Sequence, residues 1–361
     1  MSDIVNQIRI AGLAIGGNAP VRVESMLKIP LSDEEESLSQ CRSLAEEGCE
    51  LLRVAFPELR FRDAFARFVD ASPIPLMADI HFDPLLAIAA MEIGCPSIRI
   101  NPGNLSSRSL GDLVAAARAH RVVIRVGANS GSVNERQLRN AAGDRAAALA
   151  IAVGEQMESL VALGFHDIIV SAKSSSVRET VSCVSLLAQR YPDYPVHIGI
   201  TEAGPGMGGV VKSSIGIGLL LAQGIGNTIR VSLSEAPEME VRAGYHILRS
   251  LELRKRGVNL ISCPTCGRKR LDVRSVLPEI ERYFRLLPDG TNVAVMGCEV
   301  NGPREAAHAD IGIAGSPGGV VVFSLGKRIG ECSFSDIPTY IPAVFSSFSE
   351  ERRRSPEADN P

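Results

Sequence analysis

The feature that most constrains the fold of this chain is a repeated alternation of short β-branched runs with stretches of helical periodicity. The predicted strands lie at residues 21–25, 51–55, 76–80, 97–101, 122–126, 167–171, 196–201 and 228–233. The predicted helices between them include residues 33–47, 84–93, 110–120, 146–163 and 177–190. Strand and helix alternate over roughly 240 residues, which is the pattern of an α/β chain folded as a (β/α)8 TIM barrel. A doubly wound open sheet is the alternative.

The pattern changes near Gly257. Two cysteine motifs follow, and the remaining βα units fall at residues 273–286, 292–296 and 320–323. We therefore predict a TIM-barrel substrate domain over residues 1–257, a small α/β domain over residues 258–348 and a tail over residues 349–361. The tail is charged and ends in proline, a composition that favours disorder.

Composition excludes several classes of partner. The formal net charge of −3 gives no general attraction to nucleic acid or to a membrane surface. The most apolar stretch, residues 209–225, includes Lys212 and is too short to span a bilayer. The first residues lack the basic flank and apolar core of a signal peptide. We therefore expect a cytoplasmic protein whose cysteines are reduced thiols or metal ligands rather than disulfides.

Three cysteines have the spacing of metal ligands. Cys263 and Cys266 form a Cys-x-x-Cys turn, and Cys298 follows after a spacer long enough to fold back. The fourth ligand has to be another kind of residue. A structural zinc site with His308 and an iron–sulfur cluster both fit this spacing, which alone slightly favours zinc. The remaining cysteines lack ligand spacing and are expected to be ordinary core or surface residues: Cys41, Cys49, Cys95, Cys183 and Cys332.

Polar residues occur where the predicted strands end. In a TIM barrel these positions meet at the C-terminal face, where the chemistry of such folds takes place. The cations among them are Arg53, Arg99, Arg125, Lys173 and Arg230. These cations would repel one another unless their partner is a highly anionic ligand such as a diphosphate. The alternative is that individual cations form structural salt bridges with Glu24, Asp79 or Glu202.

Two further features of the predicted barrel mouth are each compatible with a functional role and with a purely structural one. His81 follows a strand end and is equally compatible with a functional residue and with an ordinary rim residue. The glycine-rich segment at residues 204–209 precedes a predicted helix, so its amides could hold phosphate, or it could be a plain flexible connector.

Several longer segments carry a family resemblance. They are Met-Ala-Asp-Ile-His-Phe-Asp at 77–83, Arg-Ile-Asn-Pro-Gly-Asn at 99–104, Gly-Ile-Thr-Glu-Ala-Gly at 199–204, Arg-Val-Ser-Leu at 230–233, Ser-Cys-Pro-Thr-Cys at 262–266 and Val-Asn-Gly-Pro at 300–303. Through them the chain, from about Ile8 to Gly315, resembles the bacterial two-domain 4-hydroxy-3-methylbut-2-enyl diphosphate synthases of the methylerythritol phosphate route to isoprenoids. The alternative from another functional class is a phosphate- or pterin-binding TIM barrel with a structural zinc domain.

The resemblance implies a reaction and a cofactor. The family reduces 2-C-methyl-D-erythritol 2,4-cyclodiphosphate with two electrons, opens its ring and releases one hydroxyl as water, which gives (E)-4-hydroxy-3-methylbut-2-enyl diphosphate. The electrons come from ferredoxin or flavodoxin. The family's [4Fe–4S] cluster is held by residues that correspond to Cys263, Cys266, Cys298 and Glu305. The family forms homodimers in which the cluster domain of one chain closes over the barrel of its partner.

The resemblance also assigns roles to individual residues. The diphosphate pocket maps onto Arg53, His81, Arg99, Arg125, Asn129, Lys173, Arg230 and Ser232. Glu202 occupies the position of an acid–base carboxylate, which could protonate the departing hydroxyl. Glu305 is expected to be an exchangeable catalytic ligand, because a weakly held carboxylate can leave one iron and let a substrate oxygen bind there.

Two places depart from the family pattern. Arg304 stands directly before Glu305, where the family usually has glycine, and could either tune the expected cluster or point to solvent. In residues 24–29, Glu24 replaces a usual glutamine, and the Thr-Asn-Thr run that usually follows Met26 is missing. We expect these changes to alter one contact at the barrel mouth.

Overall fold

A closed barrel of parallel strands forms the core of the first of two structural units, Met1–Leu253. A computed structural model describes residues 5–80, 83–100 and 106–354 of the chain. The strands of this unit are β1 (Ile8–Ile10), β2 (Leu13–Ile15), β3 (Arg22–Met26), β4 (Leu51–Ala55), β5 (Leu76–Asp79), β6 (Ser97–Ile100), β7 (Val123–Asn129), β8 (Ile168–Lys173), β9 (Val196–Ile198) and β10 (Thr228–Ile229). Its helices are α1 (Glu34–Glu47), α2 (Arg62–Ala71), α3 (Pro84–Glu92), α4 (Ser107–His120), α5 (Glu135–Asn140), α6 (Arg145–Val161), α7 (Val177–Arg190), α8 (Gly206–Leu221) and α9 (Pro237–Ser250). The strand order β10-β3-β4-β5-β6-β7-β8-β9 confirms the predicted TIM barrel.

The observed barrel strands differ from the predicted ones mainly at their ends. β9 ends at Ile198, earlier than predicted, because the backbone after it no longer pairs with the neighbouring strands and runs along the mouth of the barrel. Glu202 in this segment has a φ of 52°, which a strand does not adopt. β7 continues to Asn129 and so brings that residue beside Lys173 of β8. The strand ends, where the predictions were least accurate, are therefore the parts that form the mouth.

An N-terminal hairpin closes the lower end of the barrel. Its strands β1 and β2 are joined by Ala11 and Gly12, which both have positive φ, as a tight hairpin turn requires. Three isoleucines of the hairpin pack against residues at or near the starts of four barrel strands: Ile8, Ile10 and Ile15 against Leu51, Met77, Val123 and Ile169. Sequence periodicity does not detect this hairpin, because three-residue strands are too short to show an alternating pattern.

The helices surround the barrel and pack on it through an aliphatic core. Side chains cap several helix starts, which fixes where each strand-to-helix loop ends. Asp83 accepts from the amide of Leu85 at the start of α3, and Asp144 accepts from the amides of Ala146 and Ala147 at the start of α6. No helix in the described part of the chain is long and apolar enough to cross a membrane.

The second unit, Arg254–Pro361, contains a five-stranded mixed sheet and confirms the predicted small α/β domain. Its strands are β11 (Asn259–Ser262), β12 (Asn292–Met296), β13 (Ile311–Ser316), β14 (Gly319–Ser324) and β15 (Lys327–Ser333). Its helices are α10 (Val273–Glu281), α11 (Gly302–Ala306) and α12 (Ile337–Arg354). The strands β11, β12 and β13 pair in parallel, and β13, β14 and β15 pair antiparallel. The division between the units falls after Leu253, close to the predicted change at Gly257.

The predicted disordered tail needs a correction. Residues 349–354 continue α12, and residues 355–361 lie outside the described part of the chain. The physical reason is that the helix has a buried face there: Phe345 and Phe348 enter the core of this unit, and the hydroxyl of Ser349 donates to the carbonyl of Leu286. Residues 349–354 therefore belong to an amphipathic helix, although their charged composition favoured disorder.

Candidate active site and cysteine motif

The C-terminal end of the barrel holds a cavity of about 260 Å³. The residues around it are Arg53, Asp79, Arg99, Arg125, Gly127, Ala128, Asn129, Ser171, Lys173, Thr201, Glu202, Arg230 and Ser232. All residues that the sequence assigned to the barrel site line this one space, except His81, which lies outside the described residues. Thr201 also lines it and was not anticipated from the sequence.

The parallel register of the strands brings these side chains to one level. Arg99 of β6 pairs with Arg125 of β7, and Asp79 of β5 pairs with Arg99. Further along β7, Asn129 pairs with Lys173 of β8. Because all barrel strands point the same way, their C-terminal residues meet around one opening.

Two arginines share one carboxylate in the cavity. Oδ2 of Asp79 lies 3.7 Å from Nε of Arg53, and Oδ1 of Asp79 lies 3.8 Å from Nη1 of Arg99. Burial lowers the pKa of Arg53 to about 9, because the attraction of Asp79 is smaller than the cost of burial and the neighbouring guanidinium groups add repulsion. Burial also lowers the pKa of Arg99. Two guanidinium groups around one carboxylate make this part of the cavity electropositive.

Arg230 has weak polar partners. Its Nη1 lies 3.7 Å from Sδ of Met26, and its Nε is buried without a hydrogen-bond partner among the described residues. Nη2 of Arg53 also donates to Sδ of Met26, at 2.9 Å. A thioether is a weak acceptor, so both guanidinium groups keep donors for a ligand. Burial lowers the pKa of Arg230, and the carboxylate of Glu240 opposes this shift.

Arg125 forms the structural salt bridge that the sequence left open as an alternative. Its Nη1 lies 2.5 Å from Oε2 of Glu24, and both side chains are only 1% exposed. Burial opposes ionisation of Glu24, but Arg125 and His197 together hold the pKa of this carboxyl well below its usual range. Nη2 of Arg125 has no hydrogen-bond partner in the described residues. One side of this guanidinium is therefore fixed by the protein, while the residue also lines the cavity.

His197 is a residue of the site that sequence reasoning missed. It is completely buried, and its Nε2 lies 2.7 Å from Nζ of Lys173. Its Nδ1 lies 2.7 Å from Oγ1 of Thr228 and 3.3 Å from Oε1 of Glu24. The available signal was weak: a histidine between Val196 and Ile198 in an otherwise apolar strand.

A hydrogen bond joins two of the loops at the rim of the cavity, the one before α8 and the one after β10. Glu202 is exposed and lines the cavity from a left-handed backbone position, a strained conformation that clusters at functional sites. The amide of Gly206, at the start of α8, donates to Oε1 of Glu235 at 2.6 Å. The glycine-rich segment thus uses one helix-start amide for an internal contact, which favours the connector reading over a phosphate cradle.

Lys28 accounts for part of the departure at residues 24–29. Its Nζ lies 3.0 Å from Oε1 of Glu240 and 3.2 Å from the carbonyl oxygen of Leu233, and it also contacts the carbonyl of Glu235. Glu240 in turn accepts from the amide of Leu233 at 2.9 Å. These contacts anchor the loop that follows β10, which carries Ser232 of the cavity.

The cysteine motif lies at the ends of two neighbouring parallel strands of the second unit. Cys263 follows β11, Cys298 follows β12 closely, and the amide of Gly297 donates to Sγ of Cys263 at 3.0 Å. The amides of residues 301, 302 and 300 lower the pKa of Cys298. The amide of Arg268 lowers the pKa of Cys266. Amide donors to sulfur favour the thiolate form, which is the form that binds iron or zinc.

Glu305, the fourth predicted ligand, is exposed on the short helix α11, and Arg304 and His308 are also exposed. Among the residues that the structure describes, no group of three His, Cys, Asp or Glu side chains lies close enough to hold a metal ion as placed. The donor chemistry nevertheless fits such a group, because backbone amides favour the thiolate forms of Cys266 and Cys298, and Glu305 is an exposed carboxylate on α11. The ligand set remains a prediction.

Both units of the chain match known protein domains. The model for the GcpE TIM-barrel domain matches residues 5–245, and the model for the GcpE protein C-terminal domain matches residues 259–344. A 4-hydroxy-3-methylbut-2-en-1-yl diphosphate synthase (flavodoxin) of Geobacter sulfurreducens is 43% identical over 98% of this chain and 100% of its own length. A protein of the same name from Natranaerobius thermophilus is 46% identical over 95% of this chain and 96% of its own length.

A solved structure resembles the barrel alone. Dihydropteroate synthase from Stenotrophomonas maltophilia superposes with a TM-score of 0.51 and 14% sequence identity, over 68% of this chain and 98% of that protein. At this identity the likeness supports the fold and carries no information about the substrate.

Proposed function

Because the chain belongs to the GcpE family, we propose that its barrel cavity is the substrate site for the synthesis of 4-hydroxy-3-methylbut-2-en-1-yl diphosphate. The chain is an oxidoreductase of isoprenoid biosynthesis with this synthase activity. We propose 2-C-methyl-D-erythritol 2,4-cyclodiphosphate as the ligand of the cavity. The observation that carries the assignment is the excess of cations over carboxylates in one buried space.

The cavity residues would act mainly by binding and orienting the diphosphate. Arg53 and Arg230 offer guanidinium donors whose hydrogen-bond partner is the thioether of Met26, a weak acceptor, so a phosphate oxygen would gain charge-assisted hydrogen bonds there. Arg99 adds a third guanidinium group to the cavity lining. Asn129 and Ser232 add neutral donors at the same opening. His81 is proposed as a further substrate contact on the basis of the family pattern alone.

Glu202 is the residue that we propose for proton transfer. Opening the ring and removing one hydroxyl as water consumes two electrons and two protons. An exposed carboxylate at the edge of the cavity can take protons from solvent and pass one to the departing hydroxyl. Its left-handed backbone conformation fixes where the side chain leaves the main chain, which favours a defined position.

We further propose that Cys263, Cys266, Cys298 and Glu305 hold a [4Fe–4S] cluster. When bound, such a cluster would supply the electrons of the reductive step. The support from this chain is that backbone amides lower the pKa of Cys266 and of Cys298, which favours their thiolate forms before any iron is present. Glu305 would be the exchangeable ligand. Flavodoxin, which the names of the relatives give, is the proposed electron donor, with ferredoxin as the other choice. A cytoplasmic location remains a prediction.

We propose that the chain forms a homodimer, and an apolar stripe on α8 supports this. Met207, Val211, Ile215 and Leu219 are spaced by four residues, and so they lie on one helix face. Met207 is 83% exposed and the other three are about half exposed. Together they expose on the order of 400 Å², as much as the largest apolar patch of a typical monomer. Burial against a second copy would remove this area from water.

Metal and sulfide analysis of protein purified without oxygen tests the cluster proposal. We expect about four iron and four sulfide per chain, lost in Cys298→Ser and kept in Cys332→Ser, a cysteine outside the motif. Colourless protein with one zinc per chain would contradict the proposal.

A second experiment tests the exchangeable ligand. Glu305→Ala should still bind iron but turn over the cyclodiphosphate slowly with reduced flavodoxin. Glu299→Ala, which removes a nearby exposed carboxylate, should keep most activity. Full activity of Glu305→Ala would show that this carboxylate is not needed.

A further inference from the structure

A buried chain of polar groups stands behind the cavity wall. Lys173 lines the cavity, His197 lies behind it, and Glu24 lies behind His197. The first contact is 2.7 Å from Nζ to Nε2, and the second is 3.3 Å from Nδ1 to Oε1. Neither His197 nor Glu24 lines the cavity, and both are at most 1% exposed. The substrate site therefore has an inner layer that the substrate itself would not touch.

The hydrogen bonds fix the form of the histidine. Nδ1 lies 3.3 Å from Oε1 of ionised Glu24, which favours a proton on this nitrogen, and Oγ1 of Thr228 lies within hydrogen-bond distance at 2.7 Å to accept it. Nε2 of the neutral ring then accepts from the amine of Lys173, which has N–H donors in either protonation state. Burial lowers the pKa of His197 well below its usual range, despite the attraction of Glu24, so the ring is neutral at pH 7. A neutral ring in this tautomer connects the lysine to the carboxylate.

We propose that His197 is a positioning residue which, held by Glu24, fixes the amine of Lys173 at the cavity wall and allows Lys173 to bind its proton together with the anionic substrate. The inference rests on the proposed function of the cavity and extends it to residues behind the wall. His197 acts through Lys173, and no bond to the substrate is assigned to it.

The surroundings of Lys173 explain why protonation would accompany binding. Charged groups face it from several barrel strands: Glu24 on β3, Arg53 on β4, Arg125 on β7 and Arg230 after β10, with neutral His197 on β9. Burial and then the three guanidinium groups lower the pKa of Lys173 well below its usual range, and Glu24 alone among these groups opposes the shift. A bound diphosphate reverses the balance of charge, and so it favours the protonated amine.

The residue next to the amine of Lys173 is a glycine, Gly199. A Cβ at Gly199 would lie 3.2 Å from Nζ of Lys173 and closer still to the carbonyl oxygen of Arg230. Glycine at residue 199 therefore leaves room for the amine of Lys173 beside this stretch of backbone.

Calorimetric binding of the cyclodiphosphate, in buffers that differ in ionisation enthalpy, tests the inference. Above the pKa of the free Lys173, wild-type protein should take up about one proton per bound substrate. His197→Leu removes the acceptor, and we expect weaker binding by about tenfold, as for a lost hydrogen bond to a charged group, together with an altered proton uptake. His197→Gln places an amide oxygen near the position of Nε2, so it should recover most of the affinity and the wild-type uptake.

The outcomes separate this inference from the proposed function. If wild-type protein does not bind the cyclodiphosphate, the proposed function fails. If it binds without proton uptake, or if His197→Leu loses thermal stability but keeps wild-type affinity and uptake, then His197 has only a structural role and the inference fails. Glu24→Gln gives an independent check because it keeps the shape of the side chain and removes its charge. Since Glu24 favours protonated Lys173, uptake should begin at a lower pH in this variant, and an unchanged pH dependence would overturn the role of Glu24.

Discussion

Replacement of a cavity arginine should stabilise the substrate-free protein and weaken substrate binding at the same time. Arg53 is the best choice, because it is largely buried and, among the described residues, its one ion-pair contact is to Asp79, at a long 3.7 Å. Asp79 keeps a second cation in Arg99 after the replacement. Methionine at residue 53 would retain much of the aliphatic volume and remove the charge.

The pKa of Arg53 gives the size of the effect. Its value of about 9 lies far below that of a free guanidinium, a difference that corresponds to ~5 kcal/mol of unfavourable free energy in the folded state. Because the folded pKa is the lower one, this penalty is fully present below pH 9 and is relieved only as the pH rises above it. Relaxation and water in the cavity reduce such penalties, so we expect Arg53→Met to gain ~2 kcal/mol.

Thermal unfolding with and without ligand measures both effects. A gain of ~2 kcal/mol should raise the Tm of the substrate-free protein by ~4–8 °C. The cyclodiphosphate should raise the Tm of wild-type protein much more than that of Arg53→Met, because the lost cation binds the diphosphate. Arg67→Met, at an exposed arginine on α2, should change neither quantity appreciably. A substrate-free Tm at or below the wild-type value would refute the view that the cavity stores unfavourable charge.

Three further perturbations test other parts of the structure. Glu24→Gln should make stability less sensitive to acid. The stabilisation from ionised Glu24 is complete above its unfolded pKa of 4.5 and is lost as the pH falls through its lower folded pKa. Thermal melts between pH 3 and 6 would measure this loss, at ~1.4 kcal/mol of stability for each tenfold difference in proton affinity between the folded and unfolded states. Gly297→Val should reduce bound iron, since a Cβ there would already lie 3.3 Å from Cγ2 of Thr265 and 3.4 Å from Sγ of Cys263, and the two methyl groups of valine would need further space in the cysteine motif. Gly318→Ala, with open space around it, should not reduce bound iron; equal iron contents in the two variants would contradict this. Ile215→Glu should give a monomer in sedimentation if α8 is the dimer contact, while Leu163→Glu, at an exposed leucine in the turn after α6, should leave the mass unchanged.

The grouping of the cavity residues was predictable because it depends only on the fold class and on the approximate ends of the strands. Parallel strands place their C-terminal residues around one opening, so strand ends read from the sequence were enough to bring Arg53, Arg99, Arg125 and Lys173 together. Errors of a few residues at the strand ends did not matter, since the polar residues lie within or just after each strand.

The inner layer was not predictable in the same way. The bond between Glu24 and Arg125 joins residues 101 positions apart, on strands that are not neighbours in the barrel. No local pattern records such a contact. His197 was hidden for a different reason: all of β9 is buried, so no alternation of polar and apolar residues marks which side chains face inward.

The hairpin that closes the lower end of the barrel has a consequence for how the chain folds. It precedes every barrel strand in the chain, yet the residues that cover it extend from Leu51 of β4 to Ile169 of β8. Its isoleucines therefore stay exposed until more than half of the barrel has left the ribosome, and they depend on contacts of long sequence separation, which form slowly. We expect this short segment to be where a nascent chain is most in need of a chaperone.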